Sequence, residues 1–308
     1  MFIIVFIENF KQSNFSKMKK ILLPVLTFFI FQSCARLDDN LFNADNKITT
    51  YKLDKYQGEV DFVLDPSYTI TSDKINQFTL DSEGNIIQAI YIGDSSKIEM
   101  DTVILYCHGN KDHMDFYWQR AKLLAHVGGK NNYGVLMIDY RGYGLSKGKH
   151  TEEGLYQDVG AAINWLKSKG LTGERLIMYG FSLGSAPATE LTANSRGLVP
   201  SKLILEAPFA SAAVMVQDAA LLEIPSSYFV NLKIDNAEEI KKVQQPFLWI
   251  HGIKDDFLNI KTHGELVYKN YKGKNGFFYR IENANHGSIP NTLGYNNYLK
   301  ILHEFIIQ

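Results

Sequence analysis

The chain has 308 residues, of which 45% are hydrophobic and 21% charged, and its formal net charge is -1. That is enough chain for one large core, and the near-neutral balance, with no basic cluster interleaved with aromatics, excludes a nucleic-acid binder. The histidines and the two cysteines show no HxH, HExxH or CxxC spacing, so a metal site has no support.

Met18-Lys19-Lys20 precedes an apolar run, Ile21 to Phe31, that is too short to span a bilayer, and Gln32-Ser33-Cys34 follows. The layout is that of a secretory signal. A small residue directly before a cysteine at the end of the apolar region resembles a bacterial lipobox, although Phe31 stands where leucine is usual. The expectation is a signal segment over 1–33, a lipid on Cys34, and a protein anchored to a membrane of the bacterial cell envelope. A secreted or periplasmic protein is the alternative. Because Phe2 to Ile7 forms a redundant apolar stretch, Met18 is an alternative start. Residues 34–60 are polar and read as a tether; 61–308 read as one folded domain. With Cys34 lipidated, Cys107 has no disulfide partner, and its apolar surroundings make it a buried core residue.

Ile75 to Leu80 and Ile86 to Ile92 flank the Gly-containing turn Asp81 to Asn85, which predicts an antiparallel hairpin. Beyond it, apolar runs alternate with helix-compatible segments. Thr102 to Cys107, Tyr133 to Tyr140, Leu176 to Tyr179, Lys202 to Leu205, Phe247 to Ile250 and Phe277 to Ile281 read as strands. Met114 to His126, Glu152 to Lys169, Ala186 to Ala193, Ser211 to Leu222 and Thr292 to Ile307 read as helices. Strands apolar throughout, separated by helices, are the pattern of a parallel sheet covered on both faces. The fold class is therefore α/β, a mostly parallel sheet with an N-terminal antiparallel hairpin.

In such a sheet, functional groups gather at the carboxyl ends of the strands. Those ends read His108-Gly109-Asn110, Asp139-Tyr140-Arg141-Gly142-Tyr143-Gly144, Gly180-Phe181-Ser182-Leu183-Gly184, Glu206-Ala207-Pro208, His251-Gly252-Ile253-Lys254-Asp255-Asp256 and Ala284-Asn285-His286-Gly287. The third is a serine on a strand-to-helix turn with a glycine two positions to either side. That spacing lets strand and helix approach while the hydroxyl stays presented to a reactant. A nucleophile, an acid and a base thus occur in the order Ser, Asp, His. Gly109 and Gly142-x-Gly144 do not open a GxGxxG helix and no GK[ST] follows, so no nucleotide or other cofactor is expected.

These five segments, HGN, DYRGYGLSKG, GFSLG, HGIKDDF and ANHG, in this order, resemble the α/β-hydrolase family over about residue 70 to 308. The resemblance implies a serine hydrolase acting on esters, thioesters or amides. Ser182 would be the nucleophile, His286 the general base and Asp255 its orienting acid, with Asp256 and Glu206 as weaker candidates for the acid. Backbone N–H groups of Asn110 and Leu183 would form the oxyanion hole. His108 and His251 would brace loops; His113, His126, His150, His263 and His303 read as surface or helix-face residues. The Asp139 to Gly142 segment reads as a structural turn.

The stretch between Pro208 and Pro246 is too small for a large cap and predicts a small lid, with Met215, Leu222, Tyr228 and Phe229 as candidate walls of an acyl pocket. The substrate is a small molecule or an acylated group. An aminopeptidase-like peptidase is the first alternative, with Glu223, Asp235, Glu238 and Glu239 as the carboxylates that would grip a free amino terminus. A membrane-tethered binding protein without catalysis is the second.

Overall fold

The structure, a computed structural model, describes residues 42–59, 62–129, 133–220 and 232–308. Short strands β1 (Asn43–Ala44) and β5 (Lys111–Asp112) pair in parallel, and the other eight strands form one sheet. The hairpin of β2 (Ile75–Ser82) and β3 (Asn85–Ile92) turns at Glu83-Gly84, both with positive φ, the backbone that a tight two-residue connection requires. Then come β4 (Val103–Cys107), β6 (Gly134–Ile138), β7 (Leu176–Phe181), β8 (Lys202–Glu206), β9 (Phe247–Gly252) and β10 (Gly276–Ile281).

The order across the sheet is β10-β9-β8-β7-β4-β6-β3-β2. The pairs from β10 to β6 are parallel, and β6/β3 and β3/β2 are antiparallel. Every residue of β4, β6, β7 and β9 is buried. Such strands have both faces covered, which is why their sequence is continuously apolar and does not alternate. β10 is an edge, and its Phe277, Phe278 and Tyr279 are exposed.

The helices are α1 (Trp118–Leu124), α2 (Glu152–Ser168), α3 (Ser185–Ala193), α4 (Ala212–Ala220), α5 (Asn236–Glu239), α6 (Gly264–Asn270), α7 (Ile289–Leu293) and α8 (Tyr295–Ile307). α1 packs with α8, while α2 packs with α3, α3 with α5 and α5 with α6. Thr151 caps α2 through its hydroxyl, which accepts from Gly154 N. The closing segment is two helices and not one, because Gly294 at φ 77° breaks it. The chain has the α/β-hydrolase fold.

Residues 42–59 differ from the tether reading, because they dock on the domain. Asn43 N donates to Asn110 Oδ1 at 2.9 Å, Tyr51 OH to Asp139 Oδ2 at 2.6 Å, and Lys52 N and Leu53 N to the Asp115 carboxylate at 2.6 and 2.7 Å. The signal segment and Cys34 lie outside the described residues.

Candidate active site

Strand β7 delivers Ser182 into a turn that α3 continues. Ser182 has φ 52°, a left-handed backbone that costs a non-glycine residue of order 1–3 kcal/mol and recurs where geometry is functional. Its flanking glycines are sterically required. A Cβ on Gly184 would sit 1.9 Å from the Cys107 carbonyl oxygen, and one on Gly180 would sit 2.5 Å from the Gly184 oxygen. The same contact sets the His108-Gly109-Asn110 loop against the serine turn. The amino end of α3 follows this turn directly, and its dipole favours negative charge there.

The three residues from three strand ends meet. Ser182 Oγ lies 2.9 Å from His286 Nε2, and His286 Nδ1 lies 2.8 Å from Asp255 Oδ2. Asp255 is buried, whereas Asp256 is exposed and has no part in the contact. Burial pushes the Asp255 carboxyl up, but hydrogen bonds from His251 and His286, the His286 charge and the Leu258 N–H overcome it, so it is held well below the usual carboxylate range. Its Oδ1 accepts from Phe257 N at 3.0 Å and Leu258 N at 2.7 Å.

His251 contributes more than a loop brace. Trp249 Nε1 donates to its Nδ1 at 3.3 Å, which leaves the proton on Nε2, 3.0 Å from Asp255 Oδ2 and 3.1 Å from the Leu258 carbonyl. The tautomer is thereby fixed, and Asp255 is gripped by two histidines.

Glu206 does not reach His286. Its carboxylate is buried and accepts from Arg120 Nη1 at 2.5 Å, Tyr298 OH at 2.6 Å and Tyr179 OH. Arg120 also binds Glu59 through Nε at 2.7 Å and the Gly287 carbonyl, next to His286, through Nη2 at 2.6 Å. Its guanidinium stands 4.1 Å from the ring centroid of Phe181, the residue before Ser182. Sequence reasoning did not single out Arg120 or Glu59. An arginine inside an apparently amphipathic helix carries no sign that it is buried.

The Asn110 side-chain oxygen accepts from Tyr143 OH at 2.6 Å as well as from Asn43 N, so its side chain is committed to bracing the loop. Leu183 is buried at the start of the turn after Ser182. Asp139 and Arg141 tie loops together, with Arg141 Nη2 2.7 Å from Asp158 Oδ1. Cys107 is buried, and burial pushes its thiol far up, which suppresses the reactive thiolate. The surface reading of His113, His126 and His263 is corrected, since all three are buried. Sequence position alone could not reveal this, because the covering residues are remote in the chain. The His263 ring accepts from Ala210 N at 3.1 Å and faces Asp218 at 3.4 Å.

A pocket of about 260 Å³ opens beside His286, walled by Phe62, Phe116 and Phe181, with Glu59, Lys111 and Ser288 at its margin. Of the lid residues expected as walls, Met215 is half-buried and does not line it, and Leu222, Tyr228 and Phe229 lie outside the described residues. Asp235, Glu238 and Glu239 are engaged elsewhere. Asp235 caps α5, Glu238 pairs with Lys241 at 2.5 Å and Glu239 with Lys242 at 2.8 Å; Glu223 lies outside the described residues. Among the described residues no cluster of histidine, cysteine, aspartate or glutamate suits a metal ion, and no helix is long and apolar enough to cross a membrane.

A serine on a strand-to-helix turn and an acid-bound histidine thus meet at one end of the parallel sheet of an α/β-hydrolase fold. Residues 98–245 match the family model described as serine aminopeptidase, S33. The chain is similar to human alpha/beta hydrolase domain-containing protein 17B, 28% identical over 231 residues that cover 75% of this chain and 74% of that protein. Among solved structures it is similar to an esterase from Pyrococcus furiosus, with a TM-score of 0.64, 16% identity and coverage of 88% of this chain and 98% of that one. It is also similar in fold to a bromoperoxidase from Bacillus anthracis, with a TM-score of 0.57, 15% identity and coverage of 76% and 100%. At these identities the solved structures establish the fold alone.

Proposed function

We propose that this protein is a serine hydrolase that cleaves carboxylic esters or thioesters through an acyl-enzyme. The observation that carries the reading is the continuous chain Ser182 Oγ, His286 Nε2, His286 Nδ1 and Asp255 Oδ2, with separations of 2.9 and 2.8 Å. Ser182 Oγ attacks the substrate carbonyl as His286 Nε2 takes its proton. Asp255 holds Nδ1–H and stabilises the imidazolium. The tetrahedral oxyanion accepts from the N–H groups of Leu183 and Asn110, each contributing roughly 3 kcal/mol. Collapse expels the alcohol or thiol, which receives the proton from His286. Water then attacks the acyl-enzyme by the same steps and frees Ser182.

A peptidase is the second reading, favoured by the description of the matching family model. Against it, none of Asp235, Glu238 and Glu239 lines the pocket. Activity on a p-nitrophenyl acyl ester, lost in Ser182→Ala and unmatched on an aminoacyl anilide, supports the esterase. The reverse selectivity would establish the peptidase, and a folded protein inactive on both would leave a binding role.

The sequence before residue 42 supports a further element of the reading. A signal segment ending at Ser33-Cys34 would leave a lipid on Cys34 and hold the enzyme at a membrane of the cell envelope. Cys34→Ala that is processed and sediments with membranes as before would refute the lipid anchor.

A further inference from the structure

Glu59 and Phe62, from just before the sheet, form one wall of the pocket beside His286, and that wall is built. Phe62 is 4% exposed, and its ring packs at a tilt against Tyr295 with 5.3 Å between the centroids. The Arg120 guanidinium lies 5.1 Å from the Phe62 centroid and 4.1 Å from the Phe181 centroid, so the cation is held between two rings. Arg120 Nε fixes Glu59 at 2.7 Å. One residue earlier, a Cβ on Gly58 would meet the Phe116 carbonyl oxygen at 2.6 Å, so this backbone lies flush against the opposite wall. Glu59 and Phe62 thus stand as a partition secured to the helix that also holds the His286 loop.

Behind the partition is a second space. A groove of about 310 Å³ is lined by Tyr56, Gln119, Val63 and Leu64, and it shares Glu59 and Phe62 with the pocket beside His286. Glu59 and Phe62 line both spaces and stand between them.

We infer that this partition sets the length of the acyl group, and that the substrate carries a medium-length acyl chain whose end abuts Phe62. The inference rests on the ester or thioester hydrolase reading above. A pocket of about 260 Å³ holds roughly eight or nine heavy atoms, at the ~30 Å³ that a water-sized unit occupies in the liquid. The three phenylalanine walls suit a hydrocarbon, and the groove beyond supplies room for a longer one once Phe62 is cut back. Phe62 and Glu59 act on specificity and not on the chemical step.

The test is a kcat/KM series on p-nitrophenyl esters from acetate to dodecanoate, measured on the wild type, Phe62→Ala and Phe62→Leu, each also labelled with a fluorophosphonate probe. Wild type is expected to gain with each methylene up to about eight carbons and then to stop, since further carbons find no apolar wall. In Phe62→Ala the gain continues past eight carbons into the groove, at up to about fourfold per added methylene, so the ratio of kcat/KM on dodecanoate to that on octanoate rises at least about tenfold over the wild-type ratio. Phe62→Leu, which keeps most of the bulk, retains the wild-type profile and takes the place of a reference if alanine impairs folding; Phe62→Val then supplies the small side chain. Normal labelling with an unshifted profile in the small variants would overturn the partition alone. So would a wild type that prefers dodecanoate. A folded wild type that neither labels nor cleaves any ester would overturn the hydrolase reading and this inference with it.

Discussion

Replacing Asp255 by asparagine, with Asp256→Asn beside it, tests which of the two neighbouring acids serves His286. The amide has one acceptor and one donor end, and the site dictates which goes where. Phe257 N and Leu258 N both donate to Oδ1, at 3.0 and 2.7 Å, so the amide oxygen must take that place. The NH2 then faces His286 Nδ1, 2.8 Å away in the native pair, and the proton that Trp249 keeps on His251 Nε2, 3.0 Å away. His286 Nδ1 must become an acceptor. Its proton moves to Nε2, pointed at Ser182 Oγ, where it cannot take the hydroxyl proton. A wrong tautomer of this kind lowers kcat by about 10⁴ in the serine-protease case, which is about 5 kcal/mol of barrier. The assay is kcat on p-nitrophenyl hexanoate with circular dichroism as the folding control. Asp256→Asn, at an exposed residue outside the contact, should change kcat less than about twofold. A folded Asp255→Asn keeping more than about a tenth of wild-type kcat would refute the assignment, as would a larger loss in Asp256→Asn.

Other consequences follow from the same geometry. Arg120→Met strands Glu206 and Glu59 without their cation, and should cost about 3–5 kcal/mol in a urea melt; a loss under about 1 kcal/mol would show that the pair is dispensable. Gly184→Ala forces a Cβ to within 1.9 Å of the Cys107 oxygen, so soluble yield should collapse, and a normally folded variant would contradict the packing of the serine turn. Burial pushes His263 down to about 4 against the pull of Asp218. A histidine depressed in the fold binds its proton more readily when unfolded, so stability should fall as pH drops from about 6.5 toward 4, by about 3 kcal/mol in all. His263→Gln should flatten that slope in thermal melts between those pH values, and an unchanged slope would assign it to other groups.

Much of the fold was legible because its strands are buried on both faces. Val103 to Cys107, Gly134 to Ile138 and Leu176 to Phe181 read as unbroken apolar runs, as strands with both faces covered do. The site was legible for a related reason. Ser182, Asp255 and His286 each lie within five residues of the carboxyl end of a strand, so position in sequence translates into position at one end of the sheet. What stayed hidden depends on polar contacts between remote segments. Residues 42–59 look like a tether because they dock through hydrogen bonds such as Tyr51 to Asp139 and Lys52 to Asp115, which leave no apolar period. The role of Arg120 and the burial of His113 and His263 are likewise set by neighbours far away in the chain. The closing helix was misread at Gly294 because the residues on either side keep helical spacing through the break.

The central claim is that Ser182 is a nucleophile activated by His286. Incubating the protein with a fluorophosphonate and locating the adduct by peptide mass spectrometry tests it directly. The account predicts one modified peptide, carrying the adduct on Ser182, absent in Ser182→Ala and formed far more slowly in His286→Ala. A folded wild type that stays unmodified, or an adduct on another residue, would contradict it.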